Sequence, residues 1–121
     1  MNDSYSNYDK AKAFKQQAKA IGTALKGIFN RSNQLKDVLV ALDKYLVKYN
    51  RKMAEIINRS GSNWSQYNRS QQEDIYMCVQ VALTIKSILD TPLLDKNGEL
   101  ESKSAETLNT AQKYLQSLNG I

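Results

Sequence analysis

The chain carries one cysteine, Cys78, and no histidine. These two counts decide most of its chemistry. A serine or cysteine nucleophile has no imidazole to take its proton, and no imidazole can ligate a metal or shuttle protons near neutral pH. Cys78 lies in the apolar run MCVQVALTI, where a thiol packs as a small hydrophobic group. A single cysteine also excludes an intrachain disulfide. The five glycines, Gly22, Gly27, Gly61, Gly98 and Gly120, fall in no phosphate-cradling or dinucleotide pattern. No two carboxylates share a buried helical face. Asp95-Lys96-Asn97-Gly98 starts like a calcium loop but lacks the acidic spacing and terminal glutamate. The expectation is a chain that is not an enzyme and that uses no metal and no cofactor.

What remains is binding chemistry, and charge is its first signal. Residues 1–60 hold twelve Lys or Arg against five Asp or Glu, a net of +7, whereas residues 61–121 are net −2. Lys12, Lys15 and Lys19, with Lys44, Lys48, Arg51 and Lys52, form a basic ridge. Such a ridge suits an acidic protein, nucleic acid or an anionic membrane, and it also serves solubility alone. No helix-turn-helix spacing, zinc finger or aromatic RNA-binding signature is present, so nucleic acid would be held by shape and charge.

The second signal is GSNWSQYNR at 61–69. Trp64 and Tyr67 stand in a polar loop, flanked by Arg59 and Arg69, and Trp, Tyr and Arg are the types most enriched at binding hot spots. The bland counterpart is that the two rings fold back over a bundle end. Tyr5 and Tyr8 are available to join the aromatic set.

These residues must be positioned by helices. One proline and five glycines in 121 residues argue against an all-β fold. Phe14, Ala18, Ile21, Leu25 and Ile28 recur at helical spacing and place a helix at about 8–29. Leu35, Val38, Leu39, Leu42, Tyr45, Leu46, Tyr49, Met53, Ile56 and Ile57 place a second at about 33–58. A third, at about 71–89, is apolar on almost every face and is expected at the bundle centre. Ser70 and Glu73 have the spacing of a capping box at its start. A fourth runs over about 104–118, with Gly120 as its cap. The triplet Asn-Arg-Ser recurs at 30–32, 58–60 and 68–70, each at a predicted boundary. The break at 30–32 is favoured because a 50-residue helix is far beyond the common range. In DTPLLDKNGELES at 90–102, Thr91-Pro92 reads as a helix start and Asn97-Gly98 as a tight turn.

The expected architecture is all-α: a single-domain antiparallel four-helix bundle over 1–121, with a short structured loop between helices three and four. Ala18 and Gly22 would let a neighbouring helix approach closely. The N-terminus lacks the apolar core of a signal peptide, and the run from Ile75 to Leu89 is too short to span a bilayer. A cytoplasmic protein is expected, a leader cleaved before Met1 being left open. The function expected is a non-enzymatic interaction module of the immunity, antitoxin, inhibitor or secretion-chaperone kind, from a bacterial or phage genome. It would bind another protein, with an acidic one fitting best. The rivals are nucleic-acid binding on the basic face of helices one and two, and peripheral membrane binding through helix one. A homodimer is compatible with the long second helix.

Overall fold

The computed structural model describes residues 2–120, with side chains described from residue 7 onward. It is built of α1 (Asn2–Ser60), a one-turn 3-10 helix (Trp64–Gln66), α2 (Arg69–Asp90) and α3 (Ser102–Asn119). The all-α class holds, but the bundle has three helices. The two N-terminal helices of the sequence reading are one continuous helix of 59 residues, roughly 90 Å long. The triplet at 30–32 does not break it. Asn and Ser are only mildly unfavourable inside a helix, no non-glycine residue among those described has positive φ, and the only proline lies at position 92.

The chain runs up, down and up again. The core joins Val38, Leu42 and Tyr49 of α1 to Cys78, Val81 and Ile88 of α2 and to Leu108, Ala111 and Leu118 of α3. Three hydrogen bonds fix the levels. Arg31 Nη1 donates to Ser104 Oγ at 2.8 Å, at the start of α3. Tyr45 donates its hydroxyl to Asn119 Oδ1 at the end of α3. Cys78 Sγ lies 3.4 Å from Asn50 Oδ1, midway along α2. α3 therefore covers α1 only from about residue 31 to 45, and the last turns of α1 pack on α2 alone.

The loop between α2 and α3 closes the bundle at the level of residues 27–31, where Leu100 abuts Gly27. The tight turn forms as expected: Asp95 Oδ1 accepts the N–H groups of Asn97 (2.8 Å) and Glu99 (3.0 Å), and Gly98 takes φ +78. Thr91 is a correction. It ends α2 instead of opening a helix, its N–H reaching Ile88 O and its hydroxyl reaching Ser87 O at 2.7 Å. The cap of α2 also moves. Asn68 is the N-cap, accepting from the Gln71 N–H at 2.9 Å, while the Gln71 side chain accepts the Asn68 N–H at 3.0 Å. The helix thus starts earlier than Ser70, and Glu73 instead pairs with Arg69 at 3.2 Å.

The largest departure concerns the first 26 residues. Phe14, Ala18, Ile21 and Leu25 do not face a core. Every described side chain from 7 to 26 is exposed, and nothing lies within 4 Å of a Cβ built on Gly22. The close approach expected at Ala18 and Gly22 has no partner in this chain. The reason is length: α2 and α3 are too short to reach past the 91–101 loop.

One buried group is badly placed. The Tyr114 hydroxyl has no hydrogen-bond partner among the described residues, and burial pushes its pKa up, with Tyr49 and Tyr76 adding to the rise. Tyr114→Phe is expected to stabilise the fold by up to about 1 kcal/mol, since it removes a desolvated donor. The raised pKa gives a second readout. The stability carried by the neutral phenol is complete below pH 10 and falls as pH rises through the folded-state value. The variant should lose that part of its alkaline sensitivity, measured by urea denaturation at pH 8 and pH 11.

Candidate interaction surfaces

Continuity of α1 turns two basic clusters into one. At 100° per residue, Lys12, Lys15, Lys19, Lys44, Lys48 and Arg51 lie within an arc of about 60° over roughly 60 Å of helix. Lys26 falls in the same arc, and Asp37 interrupts it. All the lysines named in the arc are exposed. Lys52 is partly withdrawn. It reaches Asp74 at 3.6 Å and sits 5.4 Å from the Tyr49 ring centroid, with Lys48 at 5.5 Å from the same ring. The buried Tyr49 thus spreads its apolar body inward and its π face under two cations.

The aromatic loop divides. Tyr67 is buried, its hydroxyl donating to Gly61 O, so it plugs the bundle end and is not an exposed anchor. Its ring meets Trp64 edge-on, with centroids 6.2 Å apart at 71°. Trp64 remains 50% exposed. It is held by the 3-10 turn, which Asn63 caps through the Ser65 N–H and hydroxyl, and by Gln72 donating to its carbonyl at 3.2 Å. Arg59 is exposed on the last turn of α1, and Arg69 is tied to Glu73. Tyr8 stands on α1 near its opposite end, and the Tyr5 side chain lies outside the described residues.

A residue of the helix expected at the bundle centre completes the patch. Tyr76 is 58% exposed, and with Trp64, Arg69, Gln72 and Glu73 it lines one shallow groove. Val79 and Leu83 continue the same face of α2 and are also exposed. The apolar girth of α2 had suggested a central helix. With only two neighbours, and α3 short, it leaves Tyr76, Val79 and Leu83 bare at spacings of three and four. That spacing was readable; the number of neighbours was not.

Cys78 is buried and burial raises its pKa, keeping the thiol protonated. Among the described residues no three Cys, Asp or Glu side chains gather as metal ligands do. No helix of the described chain is long and apolar enough to cross a membrane. Comparison with protein-family models, curated proteins and solved structures finds no match.

Proposed function

We propose that this chain is a non-enzymatic interaction module that docks another protein on the face formed by Trp64, Tyr76, Val79 and Leu83. The observation that carries this reading is the half-exposed Trp64 standing beside exposed Tyr76 in a groove that also holds Arg69. These are the hot-spot residue types, arranged around a rigid helix face. The basic ridge of α1 acts at longer range. Its field raises the association rate of an acidic partner and selects against basic ones. An inhibitor, immunity protein, antitoxin or secretion chaperone works in this way, by occupying its partner.

A polyanion is the second reading, and the alignment of the lysines along one side of α1 favours it. One experiment separates the two. The wild-type chain and two variants, Trp64→Ala/Tyr76→Ala and Lys44→Gln/Lys48→Gln/Arg51→Gln, are used to capture partners from the native host and are loaded on a DNA column. Docking on the aromatic face predicts that the first variant loses capture at least tenfold with unchanged helicity, each anchor being worth about 2 kcal/mol or more. Wild-type capture by that variant sinks the docking reading. Strong salt-dependent retention on DNA, lost only in the lysine variant, would move the function to the ridge.

A further inference from the structure

Across α1 the apolar positions follow one unbroken rule. Phe14, Ala18, Ile21, Leu25 and Ile28 alternate by four and three, Ser32 holds the next place, and Leu35, Leu39, Leu42, Leu46, Tyr49, Met53 and Ile56 continue without a slip. This is a heptad repeat of period 3.5, the spacing that keeps a seam facing another helix over many turns. From Leu35 onward the seam is packed by α2 and α3. Before Ile28 it is bare. Phe14, Ile21 and Leu25 on it, and Tyr8 and Phe29 on its flank, are each 59% to 71% exposed, a run of apolar surface that soluble monomers rarely leave open.

We propose that this free half of the seam pairs, antiparallel, with the same half of a second copy of the chain. The sequence is self-complementary in that direction. When Ala18 faces Ile21 of the second copy, Phe14 faces its Leu25 and Ala11 faces its Ile28, so large residues meet small or aliphatic ones at every layer. At the flanks Tyr8 lies on Phe29 of the second copy, and the Lys15 stem lies along its Gly22. Lys12, Lys19 and Lys26 point away from the seam, leaving Lys10 opposite the second copy's Arg31 as the one like-charge approach, and Arg31 is already turned to Ser104. A parallel pair would instead stack Ala18 on Ala18, set Lys10 beside Lys15, and drive two bundles into each other at one end. The antiparallel pair puts the bundles at opposite ends.

The area suffices. Tyr8, Phe14 and Phe29 alone present on the order of 400 Å² per copy at about 200 Å² per ring side chain, against about 800 Å² per partner in a specific interface. The remaining seam residues and lysine stems supply the balance. Sterics agree: a strict seven-residue repeat drifts about 20° per heptad on a straight helix. The bare edge is thereby turned roughly a quarter circle from the edge that α2 and α3 cover, which leaves the second copy room to pass beside the bundle.

Sedimentation of the full chain from 1 to 200 µM (about the range of weak to firm dimers) tests this. Dimer mass is expected in the wild type. Ala18→Glu and Ile21→Glu, both good helix formers at seam positions, should weaken the dimer at least tenfold, while Thr23→Glu, on the outer face, leaves it intact. A chain that stays monomeric throughout overturns the proposal. So does a dimer that survives Ile21→Glu, or a monomer that co-sediments with vesicles of phosphatidylglycerol, which would give the stripe to lipid. None of these results bears on the Trp64 face, which the capture experiment tests separately.

Discussion

Leu42→Ala is expected to cost about 2–5 kcal/mol. Leu42 has no exposed surface and sits where α1 meets both other helices. Truncation removes its own transfer free energy and leaves a void that Val81, also fully buried, cannot collapse to fill. The core is small, so little else offsets the loss. Marginal domains hold about 5–15 kcal/mol in total, and a bundle of this size falls toward the lower end. The melting temperature should drop by roughly 10–25 °C, followed by far-UV circular dichroism. Ile21→Ala provides the contrast. It lies on the same seam three heptads earlier, is 59% exposed, and should shift the stability of the isolated chain by less than about 0.5 kcal/mol. Equal losses at the two sites, measured at concentrations where the chain is monomeric, would mean that the free half of α1 folds back in solution.

Ser32→Pro has the second largest expected effect. Proline inside a helix removes one hydrogen bond and clashes with the carbonyl one turn back, at a cost of about 3 kcal/mol or more. Position 32 lies one residue past the Arg31–Ser104 contact and before the first buried core residue, Val38. The bundle should therefore survive, while the free half of α1 kinks away. Small-angle scattering checks this: the largest dimension of the particle falls. An unchanged dimension and unchanged stability would mean that α1 is already bent at 30–32, as the three Asn-Arg-Ser triplets first suggest.

The triplets show how far the sequence could be read. At 58–60 and 68–70 they do mark a boundary, because Gly61 with φ +75 and the Asn68 cap act there. At 30–32 the same residues sit inside a helix. Local composition is identical, and the difference comes from what stands on either side: an apolar repeat that never loses phase. Joining the stripe 14–28 to the stripe 35–56 would have found it, since both keep the same seven-residue register across Ser32. The helical class, the seam of α1 and the turn at Asn97-Gly98 were legible because they are local. Which half of the seam is covered was not, because it depends on where α2 and α3 run out. Trp64 was visible as a loop aromatic. Tyr76 was hidden among core-like neighbours, and the burial of Tyr67 depended on how its loop folds back onto Gly61.

The length of α1 also fixes an order of events during synthesis. All of its residues are joined before the first residue of α2 is made. Until α2 and α3 follow, the seam from Leu35 to Ile56 has no partner in its own chain, as the stripe from Phe14 to Leu25 has none in the finished fold. An unpacked helix is marginal in water, and the 22 residues of α2 take about one to four seconds to translate at about 5–20 residues per second. The closing piece, α3, comes last and touches only the middle of the rod. For that interval the whole repeat of α1 lacks its packing partners, so the half that will be core depends on α2 and α3 arriving before another apolar helix does.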